Sequence, residues 1–204
     1  PALIEKAWHY EKHANMWRIT DDFWDQWELL LEMFWRCEVW ERQVSPGCWP
    51  DCDMLPLGRI GVKFGQPRQT RFTPAEQKTM LTLWSVFRSP LILGAELPSL
   101  DEATLRLLTN RDVLRLNRYS FGARQIARDD AQAVWVSQDE DGSHYAALFN
   151  LSEETREVSL DLRELEGEAF DCRELWTGET LAARQTLSCI IEPHGAKLFR
   201  CRTR

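Results

Sequence analysis

The chain has 204 residues, of which 44% are hydrophobic and 11% aromatic, and this composition supplies a core for one large domain or two small ones. Interspersed acids and bases leave a formal net charge of -7, which argues against a nucleic-acid partner. No stretch reaches the roughly 20 uninterrupted apolar residues of a membrane span, so no membrane partner is expected. The opening segment PALIEKAWHYEKH lacks the pattern of a signal peptide, and the localisation stays open, with secretion or a periplasmic site compatible.

The cysteines and tryptophans give weaker signals. Six cysteines are too few and too scattered for a disulfide scaffold, and buried free thiols are the simplest interpretation. Cys48 and Cys52 have no second pair of thiols or histidines nearby to complete a zinc site. Neither a metal at this pair nor a cofactor is predicted. Aromatic rings stack on sugars, but most of the ten tryptophans are expected in the core.

Residues 1–118 alternate short apolar strands with amphipathic helices, which is typical of a parallel α/β arrangement. The first strand is predicted over Asn15 to Thr20. A helix should follow from about Asp22 or Phe23 to about Val44, with apolar residues at three- and four-residue spacing on one face. That face comprises Trp24, Trp27, Leu31, Phe34 and Trp35, with Asp25, Glu28 and Glu32 opposite.

The second and third units of this region follow the same order. A short strand is predicted around residues 53–55, then a long polar loop, then a helix in which Thr73, Pro74 and Glu76 form a capped first turn. The buried stripe of this helix is predicted to be Met80, Leu83, Trp84 and Phe87. The continuous apolar run at 91–95 is typical of a parallel strand covered on both faces, and Ser99 with Glu102 predicts another capping box and a helix to about Leu108.

Residues 119–204 change pattern and predict an antiparallel β-sandwich. Turn residues separate the predicted strands at 125–128, 133–137, 145–151, 156–162, 170–176 and 187–192. Val158, Leu160 and Leu162 alternate with polar residues, so one face of that strand should be buried. Residues 189–191 and 196–199, on either side of Pro193-His194-Gly195, are predicted to pair as a hairpin.

Two acidic clusters are the candidates for chemistry. Asp21 and Asp22 follow the first predicted strand, and Asp51 and Asp53 flank the second, with Arg18 four residues before Asp22. The carboxyl ends of parallel strands are where barrel enzymes place catalytic carboxylates. From the residues alone, a role as a helix cap or a surface acid explains Asp22 better than catalysis does.

Two motifs carry a family resemblance. The segment MWRITDD (16–22), followed by PGCWPDCDML (46–55), resembles the W-R-x-x-x-D and P-G-x-W-x-D-x-D-M-L motifs of glycoside hydrolase family 27, the melibiases. The resemblance continues through Trp84 with RSPL (88–91), DVL (112–114) with Asn117, LWTG (175–178) and HG (194–195). Pro50 and Cys52 replace residues common in eukaryotic members, which suggests a bacterial branch.

The resemblance implies the C-terminal portion of a (β/α)8 TIM barrel over residues 1–118, about strands six to eight, followed by the antiparallel β-sandwich at 119–204. It implies a retaining exo-glycosidase that removes terminal α-linked galactose or N-acetylgalactosamine. Asp22 matches the acid/base, and Arg18 matches the arginine that supports it and the sugar's 2-position. Asp53 matches a supporting acid near the site floor. Asp51 and Trp49 are further substrate-binding candidates, for which structural roles are the alternative.

One required part has no match in the sequence. A retaining glycosidase needs a nucleophilic carboxylate about 5 Å from the acid/base. The family places it in a K-x-D motif on strand four, which has no counterpart here. We therefore expect the missing N-terminal barrel half, or another chain, as a partner, and no turnover by these residues alone. Two other hypotheses remain: a non-catalytic carbohydrate-binding or assembly module, and a metal site at Asp22, Asp51 and Asp53.

Overall fold

A computed structural model describes all residues from Pro1 to Arg204 and contains an α/β portion followed by a β-sandwich. The helices are α1 (Ala7–His13), α2 (Trp27–Trp40), α3 (Pro74–Phe87), α4 (Glu102–Leu108) and α5 (Arg111–Tyr119). The strands between them are β1 (Met16–Arg18), β2 (Trp49–Asp51), β3 (Arg59–Ile60) and β4 (Arg68–Gln69). The parallel pairing of β1 and β2 confirms the predicted fold class, a portion of an α/β barrel.

The second predicted strand was misplaced by four residues. The strand is β2, at Trp49–Asp51, and not residues 53–55. Asp53 adopts a left-handed backbone conformation with φ 74°, which ends the extended chain directly after β2. Leu55 forms only an isolated parallel bridge to Leu93. That bridge is also the only strand-like pairing in the 91–95 run, where Ile92 is 45% exposed, so the prediction of a strand covered on both faces was wrong.

Helix α2 begins later and ends earlier than its apolar spacing predicts. It covers Trp27–Trp40 and continues as a 3-10 turn over Glu41–Gln43. Residues 21–26 form a loop because Phe23 and Asp25 make contacts outside the helix. Two residues differ from their predicted faces. Trp35, predicted on the buried face, is 52% exposed, and Asp25, predicted on the polar face, is buried.

Helix α3 confirms its predicted start. The Thr73 side chain accepts a hydrogen bond from the Glu76 backbone N–H, the Glu76 carboxylate accepts one from the Thr73 N–H, and Pro74 occupies the first turn. The four predicted residues of its stripe are fully buried: Met80, Leu83, Trp84 and Phe87. The local capping chemistry and the tertiary packing therefore agree for this helix.

Loss of this cap gives the first testable prediction. Thr73→Ala removes the acceptor for the Glu76 N–H and should lower the free energy of unfolding by about 1 kcal/mol. Thr73→Ser keeps the hydroxyl and should stay close to the parent. Urea denaturation of the three proteins measures the difference, and equal midpoints for the alanine and serine variants would contradict the assignment.

Two further features of the α/β portion differ from expectation. The N-cap of α4 is Asp101, whose carboxylate accepts from the Thr104 N–H, while the Ser99 hydroxyl donates to the Glu96 carboxylate. The predicted polar loop contains the two-stranded β3–β4 hairpin, which its polar sequence did not indicate. For α4, Asp is as good an N-cap as Ser, and Asp101, two residues after Ser99, takes that position.

The β-sandwich is one hydrogen-bonded sheet of eight strands that folds over onto itself. The strands are β5 (Phe121–Arg128), β6 (Gln132–Gln138), β7 (His144–Asn150), β8 (Arg156–Asp161), β9 (Ala169–Glu174), β10 (Thr180–Arg184), β11 (Thr186–Ile191) and β12 (Ala196–Thr203). Their order is β5-β6-β7-β12-β9-β10-β11-β8. Val158, Leu160 and Leu162 lie in its inner core, which confirms the predicted alternation.

The connections within the sandwich contain two errors of prediction. Strand β10 was not predicted, and it is mostly exposed. Strands β11 and β12 do not pair with each other, because β11 lies beside β8 and β10 while β12 inserts between β7 and β9. The turn at His194 thus crosses between the two layers of the sandwich and does not close a hairpin.

The outer face of the sandwich shares a hydrophobic core with the α/β portion. Phe34 of α2 packs edge-on against Phe149, with ring centroids 4.9 Å apart, and Phe87 of α3 lies against Trp135. His194 stacks on Trp27 with 3.9 Å between ring centroids, and its backbone carbonyl accepts a hydrogen bond from the Thr79 hydroxyl. The sandwich therefore supports the helices that flank β1 and β2.

Candidate active site

The candidate site lies at the carboxyl ends of β1 and β2. Arg18 is the last residue of β1 and is the register partner of Asp51, the last residue of β2. Asp22 follows in the loop after β1, and Asp53 follows in the turn after β2. Parallel pairing thus brings both acidic clusters to one edge, as the sequence predicted.

The Arg18 guanidinium joins the two clusters. Its Nη1 lies 3.1 Å from Asp53 Oδ1, and its Nη2 lies 3.5 Å from Asp22 Oδ1. The same Nη2 donates a 2.6 Å hydrogen bond to the Asp21 backbone carbonyl. Arg18 is therefore held from both sides and can neutralise one carboxylate while steadying the loop of the other.

Asp53 is fixed by its backbone as well as by Arg18. Its Oδ2 accepts a 2.8 Å hydrogen bond from the Phe23 N–H, and its backbone carbonyl accepts a 3.0 Å bond from the Trp84 indole. The left-handed backbone at Asp53 is unfavourable for a non-glycine residue, so these bonds stabilise a conformation that the chain alone disfavours. Both carboxylate oxygens of Asp53 are thereby committed to protein contacts.

Asp51 faces inward. It is 3% exposed, and its Oδ1 accepts a 2.9 Å hydrogen bond from the Asp53 N–H. Burial raises the pKa of Asp51, and the nearby Asp53 carboxylate acts in the same direction. The next residue, Cys52, donates its N–H to the buried Ser89 hydroxyl at 2.9 Å. Asp51 therefore belongs to the internal bonding of the turn.

Asp22 is the exposed carboxylate of the group. Its side chain is 86% exposed, and the long contact to Arg18 is its sole hydrogen bond. The neighbouring Asp21 side chain is similarly exposed, at 83%. Asp21 and Asp22 are thus the acids of the site with oxygens available to a ligand, and Asp22 is the one whose carboxylate Arg18 contacts.

Trp49 is not brought together with these residues. It is the register partner of Met16 and lies at the amino end of β2, the opposite end from Asp51. Its ring contacts the Arg88 guanidinium, 4.7 Å from the ring centroid. Its indole therefore packs away from the carboxylates, which favours the structural alternative.

Several contributors were missed by the sequence reasoning. The Trp84 indole and the Ser89 hydroxyl hold the turn of Asp51 and Asp53, yet Trp84 was predicted only as core. The buried Asp25, in the same loop as Asp22, forms an ion pair with the half-buried Arg68. No local pattern marks them, because 43 residues separate the two partners.

The site opens directly to solvent. The Asp22 side chain is 86% exposed and the Arg18 side chain is 36% exposed. No group of three His, Cys, Asp or Glu side chains is arranged as metal ligands. None of the helices combines the length and apolar character needed to cross a bilayer. The described features are thus an arginine and three carboxylates at an open strand edge.

Comparison with known families identifies this architecture. Residues 5–119 match the model for alpha galactosidase A, and residues 129–201 match the model for the alpha galactosidase C-terminal beta sandwich domain. The two matches place this combination of a partial barrel and a sandwich among the families of glycoside hydrolases. The chain belongs to the melibiase family, glycoside hydrolase family 27.

Individual relatives agree with this assignment. Alpha-galactosidase D of Emericella nidulans is 31% identical over 193 residues, which cover 92% of this chain and 28% of that protein. Alpha-galactosidase 2 of Arabidopsis thaliana is 25% identical, over 91% of this chain and 46% of its own length. The chain therefore spans less than half the length of these curated relatives.

The fold matches solved structures closely. A family 27 β-L-arabinopyranosidase from Geobacillus stearothermophilus is 47% identical with a TM-score of 0.95, over 98% of this chain and 48% of that one. A variant of that enzyme in complex with arabinose is 46% identical, with a TM-score of 0.96, over 100% of this chain and 49% of its own. The identity is well above the level at which only the fold is shared.

Proposed function

We propose that this chain supplies the acid/base half of a retaining exo-glycosidase that removes terminal α-linked galactose. The observation that carries the proposal is the exposed Asp22 carboxylate at the end of β1, beside an Arg18 that Asp53 holds in place. Asp22 would protonate the departing glycosidic oxygen and then deprotonate the water that releases the sugar. Arg18 would contact the sugar's 2-position while it orients the Asp22 loop.

The nucleophile is proposed to come from outside these 204 residues. Asp51 is buried and bonded within its own turn, which leaves it unable to approach an anomeric carbon. Asp53 directs one oxygen to Arg18 and the other to the Phe23 N–H. Attack by either residue would break the contacts that hold the site together. The second carboxylate, about 5 Å from the first in a retaining enzyme, is therefore assigned to another part of the protein.

The 47% identity to a β-L-arabinopyranosidase over 98% of the chain favours a second candidate substrate. β-L-Arabinopyranose has the ring stereochemistry of α-D-galactose and lacks only the hydroxymethyl group at C5. The same acid/base and the same arginine would serve both sugars. The choice then depends on the space around C5, and residues outside this chain would define that space.

Hydrolysis of matched aryl glycosides tests the proposal. The complete protein that carries this chain should release phenol from an aryl α-D-galactopyranoside or the corresponding β-L-arabinopyranoside, with the faster one identifying the sugar. The 204-residue chain alone should release none, because one carboxylate is missing. Turnover by the purified chain would refute the assignment of the nucleophile. Sugar binding without turnover by the complete protein would favour a carbohydrate-binding or assembly module.

A further inference from the structure

Asp21 and Asp22, in the loop between β1 and α2, make few contacts through their side chains. The loop comprises residues 19–26, and both aspartates are more than four-fifths exposed. An exposed carboxylate on a loop samples many positions, whereas proton transfer requires it within hydrogen-bond reach of the glycosidic oxygen. The position of Asp22 therefore depends on how the loop backbone is anchored.

The loop is anchored by the buried Phe23 and, through polar contacts, by Asp25, three residues after Asp22. Arg68 Nη1 and Nη2 lie 2.5 and 2.7 Å from the two Asp25 oxygens, in a bidentate pair. The Arg71 N–H donates a further 2.5 Å hydrogen bond to Asp25 Oδ2. The Asp25 side chain is only 1% exposed, and Arg68 is 34% exposed. Such a geometry is stronger and more directional than a surface ion pair.

The partner of Asp25 lies on a hairpin that is itself bonded to the rest of the chain. Arg68 belongs to β4, which pairs with β3, and β3 carries the buried Ile60. The hairpin is tied to the following segment, because the Arg59 carbonyl accepts a 2.8 Å bond from the Glu96 N–H and the Arg59 guanidinium lies 3.3 Å from the Glu96 carboxylate. The hairpin therefore links the Asp22 loop, through Arg68 and Asp25, to the segment around Glu96.

Charge at this pair persists over the relevant pH range. Burial alone would raise the pKa of Asp25, but the hydrogen bonds from Arg68 and Arg71 outweigh it and leave the pKa lowered. An aspartate with a lowered pKa contributes stability above its unfolded pKa, and loses it only as the pH falls through the folded value. Asp25 thus stays ionised wherever Asp22 would act.

We infer that Arg68 and Asp25 are positioning residues that set the place of the Asp22 carboxylate through the loop backbone. The inference rests on the proposed function and goes beyond it, since neither residue contacts Arg18 or Asp53. Removing the pair should displace Asp22 while the sugar-binding groups stay in place. The loss of activity should therefore be large where the leaving group needs a proton from Asp22 and small where it does not.

Leaving-group dependence isolates this effect. With a phenyl galactoside or arabinopyranoside, departure requires a proton, whereas 2,4-dinitrophenolate leaves without one. In the complete protein, Arg68→Met and Asp25→Asn should lower kcat/KM for the phenyl substrate by up to about 100-fold and for the dinitrophenyl substrate by less than about threefold. Arg68→Lys keeps the positive charge but cannot form the bidentate pair. Its kcat/KM for the phenyl substrate should lie between those of the parent and Arg68→Met.

The chain offers a matched control in Arg115 and Asp139. This pair is also bidentate, at 2.9 and 2.7 Å, with side chains 35% and 0% exposed, and it lies between α5 and the sandwich. Arg115→Met should lower the melting temperature and leave the ratio of the two kcat/KM values unchanged. That result would separate positioning of Asp22 from general destabilisation.

The outcomes also separate this inference from the proposed function. If Asp22→Asn shows the leaving-group dependence but the Arg68 variants lose both activities equally, or lose neither, positioning by the pair is refuted. If Asp22→Asn itself shows no such dependence, the assigned acid/base is wrong and the inference falls with it. Misfolding of Asp25→Asn does not decide the matter, because Arg68→Lys keeps the buried charges paired and is scored by the same ratio.

Discussion

Replacement of Asp22 by Asn should lower kcat/KM of the complete protein for a phenyl glycoside by about 10²- to 10⁴-fold, the usual contribution of general acid catalysis. The amide has nearly the shape of the carboxylate and can still meet Arg18, but it cannot give up a proton to the leaving oxygen. With a 2,4-dinitrophenyl glycoside, formation of the glycosyl-enzyme needs no proton. Its kcat/KM should therefore remain near that of the parent.

The second half of the reaction gives an independent measure of the same residue. Release of the sugar needs a base to deprotonate water, so kcat of the Asp22→Asn variant should fall even with the activated substrate. Azide is already anionic and needs no base. Added azide should therefore raise kcat and yield a glycosyl azide that retains the anomeric configuration. Absence of this product would count against Asp22 as the acid/base.

Asp21→Asn is the matched control for this experiment. The substitution is chemically identical, it lies one residue away, and the Asp21 side chain is equally exposed. Arg18 contacts only the backbone carbonyl of Asp21, which the substitution retains. Its kcat/KM should be close to that of the parent for both substrates. Equal losses in the two variants would mean that the charge of the loop, not the acid/base, governs the rate.

The elements most predictable from sequence were those specified by local contacts. The start of α3 needs only Thr73 and Glu76 within one turn, and its buried stripe repeats within one helix. The alternation of Val158 and Leu160 likewise reports a buried face from neighbouring residues alone. In each case the local preference and the tertiary structure require the same residues, so no distant information was needed.

The errors arise where distant residues decide. An apolar run at 91–95 satisfies the pattern of a covered strand, yet here it forms a single bridge at Leu93. The turn at His194 has the spacing of a hairpin, but β12 pairs with β7 and β9, more than 20 residues away in sequence. Pairing partners of strands are set by the whole sheet, which a local pattern does not contain.

The candidate site was predictable in part for a related reason. Parallel strands with acids at their ends converge, so Arg18, Asp22, Asp51 and Asp53 were expected together, and they lie at one edge. Trp49 lies at the amino end of β2 because the strand begins at Trp49, four residues before its predicted position. The division between an exposed Asp22 and a buried Asp51 depends on tertiary packing, which spacing alone does not give.

A network of polar side chains around the buried Asp139 should contribute to the stability of the sandwich. Asp139 is fully buried at the side chain and accepts two hydrogen bonds from Arg115, one of 2.5 Å from the Tyr145 hydroxyl and one of 3.3 Å from Arg200. Burial and the hydrogen bond to Asp139 both raise the pKa of Tyr145, so its hydroxyl stays protonated and donates. Three donors thus depend on one carboxylate.

Asp139→Ala should lower the free energy of unfolding by about 1–3 kcal/mol, because it leaves the buried Tyr145 hydroxyl without its acceptor and the Arg115 guanidinium without its carboxylate. Burial alone would raise the pKa of Asp139, but Arg115 and Tyr145 outweigh it, so the folded pKa is lowered. The contribution is then present above the ordinary carboxylate pKa of about 4 and is lost as the pH falls through the folded value. Urea unfolding should show the largest difference between parent and variant near neutral pH, and a smaller one in acid.

Glu102→Ala, which removes an exposed ion pair with Arg106, should change stability far less at every pH. A difference for Asp139→Ala that grew in acid would show that the carboxylate is held neutral, and would reverse the assignment of charge in the network.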